Sequence, residues 1–237
     1  FATDFTARCD RAQDRAIQLA VQWGAKLTVV HALETAGLSD ASWVEQEEVP
    51  VLIAREATRL REELSTVEGL QAAVIIRRGS PSGLVLDILG QDPADLIVTG
   101  ISRNDSLGRA ILGSTATSLV KESGVPVLVV KKRPTDWLGR IVLASDLSQN
   151  SAHAIRTALA CFRPEAPVLF HAVDPPFKSW AEDKETYARQ FRAESIEQCR
   201  RFLAEALGPD RAAEIAVVTQ EGEPAAVLAA YVIEHDI

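Results

Sequence analysis

A chain of 237 residues with 47% hydrophobic and 24% charged side chains can form one large domain or two of ordinary size, each with a real core. Its net charge of -8 argues against a general nucleic-acid-binding surface, and its apolar runs fall far short of the roughly 20 residues that cross a bilayer. Cys9, Cys161 and Cys199 form no C-x-x-C pair, so neither a zinc site nor a disulfide framework is predicted. Each thiol is expected to pack as a small apolar group in a reduced, cytoplasmic protein.

The elements alternate along the chain. Ala2-Thr3-Asp4 reads as the end of a first strand, and an alanine-rich helix follows over 11–23. The apolar run 27–30 reads as a buried strand ending at His31 and Ala32, and a long charged helix surrounds 51–64. A third strand over 74–76 meets the turn Gly79-Ser80-Pro81. The proline suits the first turn of a helix over 84–89. A fourth strand, 96–98, runs into Gly100, a polar loop, and then Gly113-Ser114-Thr115 at the head of a helix over 115–121. A strand over 125–130 closes the unit, and Lys131-Lys132-Arg133 reads as its solvated end. Strand–helix alternation implies a doubly wound parallel sheet, which binds ligands at the carboxyl ends of its strands.

After a polar linker containing Pro134, Trp137 and Gly139, the pattern starts again. Leu143-Ala-Ser-Asp146 echoes Phe1-Ala-Thr-Asp4, and an alanine-rich helix over 152–162 follows it. The strand 168–170 ends in His171 and Ala172, as 27–30 ends in His31 and Ala32. Gly222-Glu223-Pro224 echoes Gly79-Ser80-Pro81, and Asp4 to Gly79 spans 75 residues where Asp146 to Gly222 spans 76. Four landmarks in one order and at one spacing indicate duplication. The expected domains are 1–133, with a shortened first strand, and 139–237, lacking the counterparts of the last two strands and last helix of the first.

Gly100, Gly113 and Ser114 fall at the spacing G-x2-G-x9-G-[ST], with Arg103 in place of the middle glycine. With the duplication, this resembles the nucleotide-binding signature of the universal stress protein family, in its tandem form. The resemblance implies two flavodoxin-like, Rossmann-like α/β domains in one chain, packed as a pseudo-dimer, with further homodimerisation. It implies a cytoplasmic stress-response protein that acts by binding and regulation, with ATP and Mg2+ as ligands and neither nucleic acid nor membrane as partner. Thr3 and Asp4 fall where the family contacts adenosine, and Ala32 where it lines the adenine pocket. Gly100, Arg103, Gly113, Ser114 and Thr115 fall on the phosphate loop, while Asp146 and Ala172 repeat Asp4 and Ala32 in the second unit.

The same residues have plainer readings. Asp4 can cap the following helix, Ser114 and Thr115 can cap theirs, and His31 and His171 can be structural residues at strand ends. Arg103 can grip phosphate in a bidentate contact, or its side chain can fill the phosphate site where a glycine belongs. That departure, with Ser102 before it and Asp105 nearby, favours weakened ATP binding. No nucleophile elbow, Walker motif or zinc-protease motif is present, so catalysis is not expected. Two alternatives stand beside this reading: an ATP-using enzyme of the adenine nucleotide α-hydrolase-like fold, and an interaction scaffold without nucleotide.

Overall fold

The computed structural model describes residues 1–7, 9–33, 43–101, 112–133, 140–176 and 183–237. Two compact units, Phe1–Thr135 and Asp136–Ile237, divide the chain.

The first unit holds five strands: β1 (Ala2–Thr3), β2 (Lys26–Leu33), β3 (Gln71–Arg78), β4 (Ile97–Gly100) and β5 (Val127–Val130). All pair in parallel, in the order β3-β2-β1-β4-β5. Helices α1 (Asp10–Trp23), α2 (Trp43–Ser65), α3 (Pro81–Gln91) and α4 (Ser114–Glu122) connect them. Parallel strands need crossovers that cover the sheet, so its central strands are apolar on both faces. Val29, Ile97 and Val98 are accordingly buried, as is Leu119 of α4. The chain leaves β1 toward β2 on one side and returns to β4 on the other. The carboxyl ends of β1 and β4 therefore form a switch-point crevice.

The second unit places β6 (Val142–Ala144), β7 (Val168–Val173) and β8 (Ala216–Glu221) in a parallel sheet of order β6-β7-β8. This repeats the connectivity of β1, β2 and β3. Its helices are α5 (Gln149–Phe162), α6 (Lys184–Leu207), α7 (Pro209–Ala213) and α8 (Pro224–Glu234). Leu143, Ile155, Leu159, Leu169, Cys199, Leu203 and Ile215 form its core.

Backbone detail repeats as well. The residue after each acidic landmark is left-handed, with φ 58° at Phe5 and 63° at Leu147. The turns after β3 and β8 place Gly79 at φ 146° and Gly222 at 141°, where a side chain is strained. Each glycine N–H donates to the neighbouring strand, Gly79 to the Leu33 carbonyl and Gly222 to the Val173 carbonyl, both at 3.1 Å. A proline then opens the next helix in both units.

Candidate functional site

At the carboxyl ends of the first unit's strands lies a cleft of about 500 Å3. Its lining includes Thr3 and Asp4 after β1, His31 and Ala32 on β2, and Thr99 and Gly100 on β4. Pro81 and Val85 of α3 and Gly113, Ser114 and Thr115 at the head of α4 complete the wall. The described candidates of the first unit thus converge on one site. Arg103, Ser102 and Asp105 lie outside the described residues. A hollow of about 310 Å3 toward the amino ends of the strands shares Val85 with this cleft, contains none of the candidate site residues and is walled chiefly by apolar side chains.

The acidic turn is held from several sides. Asp4 Oδ1 accepts from the Thr6 backbone N–H at 2.8 Å, from Thr6 Oγ1 at 2.7 Å and from Cys9 Sγ at 3.1 Å. This is an Asx turn, so Asp4 closes the loop after β1 and does not cap the helix directly. The α1 N-cap is Cys9, which makes no side-chain capping bond. Burial pushes the Cys9 thiol up, opposed by its backbone hydrogen bonding with Asp4, and the thiol remains a donor. The Phe5 N–H donates to Thr3 Oγ1 at 3.0 Å, which shapes the left-handed step.

His31 pins this turn to the sheet. Its Nδ1 lies 2.9 Å from the Thr3 carbonyl oxygen, and Phe5 lies over the imidazole with ring centroids 4.1 Å apart. A carbonyl only accepts, so Nδ1 carries the proton. The plainer reading of His31 is the one seen here: it holds the backbone beside Asp4. Among the described residues no cluster of histidine, cysteine or carboxylate has the makings of a metal site.

The phosphate-side wall differs from expectation in one respect. Gly113, with φ -64° and ψ 160°, is the N-cap of α4, and no side chain caps this end. Ser114 and Thr115 are the first helical residues and cannot serve as the caps foreseen for them. A helix begins with amides that have no intrahelical partner, and with glycine at the cap they meet the cleft without a competing side chain. Gly100 is buried at the end of β4, where absence of a side chain leaves room for close approach.

The second unit contains a matching cleft of about 470 Å3. Ala144, Ser145 and Asp146 stand there for Ala2, Thr3 and Asp4, and Phe170, His171 and Ala172 for Val30, His31 and Ala32. Pro224 and Leu228 stand for Pro81 and Val85. His171 Nδ1 donates to the Ser145 carbonyl at 2.8 Å, as His31 does to Thr3. Asp146 Oδ1 accepts from the Ser148 N–H at 3.0 Å and from Ser151 Oγ at 2.6 Å. These hydrogen bonds, led by those with Ser148, hold its carboxyl well below the usual carboxylate range. Asp146 thereby braces Ser148, the N-cap of α5.

Sequence reasoning missed Thr6, Cys9, Phe5 and Pro81 as parts of the site. One signal was available: Asp4-Phe5-Thr6 and Asp146-Leu147-Ser148 both read D-x-[ST], the Asx-turn pattern. Phe5 and Cys9 carried no such mark.

A parallel sheet of order β3-β2-β1-β4-β5 with a switch-point crevice at its carboxyl ends defines a Rossmann-like α/β unit. Residues 1–131 match the model of the universal stress protein family, and the chain belongs to that family. It is 28% identical over 125 residues to a universal stress protein of Methanocaldococcus jannaschii, covering 51% of this chain and 74% of the relative. A protein of Staphylococcus saprophyticus named as a universal stress protein is 28% identical over 161 residues, covering 64% and 95%. A solved universal stress protein of Archaeoglobus fulgidus shares the fold over 99% of this chain and 82% of its own, at TM-score 0.63 and 18% identity. The family match ends before the second unit. Among the described residues no helix is long and apolar enough to cross a membrane.

Proposed function

We propose that the first unit binds an adenine nucleotide in its switch-point cleft, and that the chain acts in a cytoplasmic stress response by binding, without turnover. The observation that carries this reading is the head of α4: its glycine-capped amides open into the same cleft as Asp4 and Ala32. Such amides attract phosphate oxygens, a carboxylate accepts from ribose or adenine, and Ala32 offers an apolar wall. Mg2+ is the expected companion of the phosphates, held chiefly by the nucleotide itself.

Arg103 replaces the loop glycine, so affinity in the unmodified chain is reduced. A Cβ in a glycine conformation costs about 1 kcal/mol, so Arg103→Gly should tighten ATP binding on the order of fivefold or more. Asp4→Ala in that background should weaken it again. Calorimetric titration with ATP and Mg2+ checks both. Tight binding by the unmodified chain, lost on Arg103→Ala, would make Arg103 a phosphate ligand.

Hydrolysis needs positioned metal, charge stabilisation and an oriented nucleophile. No described residue of the cleft has the last role. ADP should therefore not accumulate beyond one equivalent; multiple turnovers that vanish in both Asp4→Ala and Gly113→Ala would make the chain an enzyme. Absence of any nucleotide binding, even in Arg103→Gly, would leave the scaffold reading.

The second unit is read as a second universal stress protein domain because its cleft, histidine clamp and glycine turn repeat the first. Self-association is part of the same reading. β5 ends the first unit's sheet with Val127, Leu128 and Val129 only half-buried, an edge suited to pairing. A monomer mass by light scattering across a hundredfold dilution series would count against it.

A further inference from the structure

We infer that Cys9 is a positioning residue of the first cleft: its S–H holds the Asp4 carboxylate against the head of α1, and as the weakest of three donors on Asp4 Oδ1 it limits how firmly that carboxylate is presented to a ligand. This rests on the first cleft being a nucleotide site and deepens that reading, because Cys9 acts on the ligand through Asp4.

The geometry of the turn singles out this thiol. Asp4 Oδ1 accepts from the Thr6 N–H at 2.8 Å, from Thr6 Oγ1 at 2.7 Å and from Cys9 Sγ at 3.1 Å. The two bonds from Thr6 belong to the same short turn as Asp4 and move with it. Cys9 is the donor of the three that ties the carboxylate to a helix. Its own backbone is held on both sides: the N–H donates to the Thr6 carbonyl at 2.8 Å, and the carbonyl accepts from the Gln13 N–H at 2.8 Å. The residue is only 8% exposed, and it lines the cleft together with Asp4. As the N-cap of α1 it makes no side-chain capping bond, and its thiol is turned to Asp4 instead. Burial keeps that thiol protonated at neutral pH, so it donates.

The second unit has the same brace built from different atoms. Asp146 accepts from the residue two places on and from the residue five places on, Ser148 and Ser151, where Asp4 accepts from Thr6 and Cys9. At the fifth place Ser151 Oγ comes within 2.6 Å of Asp146 Oδ1, whereas Cys9 Sγ stands 3.1 Å from Asp4 Oδ1. A hydroxyl donating to a carboxylate makes a short, charge-assisted bond, and a thiol is a weak donor. Two different residue types thus serve one acceptor from one place in the repeat, which makes this a donor position and not merely a packing position. The first unit keeps the donor and softens it. A carboxylate that rocks on its turn is less often oriented to accept from ribose or adenine, and affinity falls with the lost preorganisation.

The test uses the full chain carrying Arg103→Gly, with Cys9→Ser, Cys9→Ala and Cys9→Val added singly. Serine strengthens the donor, valine keeps bulk without a donor, and alanine keeps neither. Calorimetric titration with ATP and Mg2+ should show serine binding at or above its parent. Alanine and valine should both bind about three- to tenfold more weakly. A second measurement needs no nucleotide: the Asp4 side-chain carboxyl carbon resonance followed against pH. Hydrogen bonds to the ionised form favour it, so the Asp4 midpoint should fall in Cys9→Ser and rise in Cys9→Ala and Cys9→Val, with Asp146 unmoved. Ser151→Cys should do the reverse, raising the Asp146 midpoint and leaving Asp4 alone. Valine binding as tightly as the parent, serine binding as weakly as alanine, or one Asp4 midpoint shared by all four chains would overturn the inference. Failure of the Arg103→Gly parent to bind ATP would instead sink the nucleotide reading, and the carboxyl titration would still decide the role of Cys9.

Discussion

At the residue scale, the pair His31 and His171 carries the clearest lesson. A histidine at a strand end invites an acid–base role, yet each uses Nδ1 to hold the carbonyl just before an acidic residue, at 2.9 and 2.8 Å. The position of Asp4 over the cleft therefore depends on a side chain 27 residues away in sequence. Asparagine places an amide nitrogen where histidine places Nδ1, so His31→Asn should retain the clamp and His31→Leu should lose it. One such hydrogen bond contributes about 1 kcal/mol, so the leucine variant should bind nucleotide roughly fivefold more weakly in the Arg103→Gly background. The asparagine variant should stay near the parent. Equal losses in both would show that packing against Phe5 matters and the hydrogen bond does not. The D-x-[ST] turns were legible in the sequence, because an Asx turn is a local contact. The histidine clamp was not, because it spans two strands.

At the element scale, the turns into α3 and α8 look alike in sequence and differ in tolerance. Both glycines sit at φ values that strain a side chain. A Cβ on Gly79 would meet nothing within 4 Å, whereas one on Gly222 would come within 2.7 Å of Val227 Cγ1. Valine in a helix has little rotamer freedom to move aside. Gly79→Ala should therefore cost about 1–3 kcal/mol from backbone strain alone, and Gly222→Ala clearly more. Urea denaturation read from each unit's own amide signals measures both. Val227→Ala should recover the excess at Gly222, and a Gly222→Ala variant no less stable than Gly79→Ala would refute the clash. The helices show the same division between local and tertiary information. Pro81 and Pro224 announced their helix starts, because proline is tolerated only in a first turn. The glycine cap of α4 did not announce itself, since Ser114 and Thr115 are the better caps by type and the chain enters the helix one residue earlier.

At the scale of the whole molecule, the buried thiols report on each unit separately. Cys9 is buried in the first unit and Cys199 fully buried in the second. Burial pushes the Cys199 thiol up to about 11 from its ordinary 9.0. The folded second unit then holds a proton that the unfolded chain releases above about pH 9, so its stability should fall as pH rises from about 9 to 11 and be unaffected by this group below that window. Cys199→Ala should remove this part of the alkaline decline while lowering stability at neutral pH through the cavity it leaves. The check is urea denaturation across pH 7–11; an identical alkaline slope in the variant would exclude the thiol as its source. Thiol reagents should label Cys199 only as the second unit opens, independently of nucleotide in the first.

The sequence by itself determined the parallel α/β class, and it displayed the landmarks that recur between the two units, because alternating apolar runs and turn glycines are local signals. It also brought Asp4, Ala32, Gly100 and Gly113 together by family resemblance. Only the tertiary structure decided what these residues do to one another. It set the histidine clamp, the side-chain-free head of α4 and the meeting of β1 and β4 at one crevice. Each of these depends on which strands lie side by side and in what register, and that is settled by packing across the sheet, not by any neighbour along the chain.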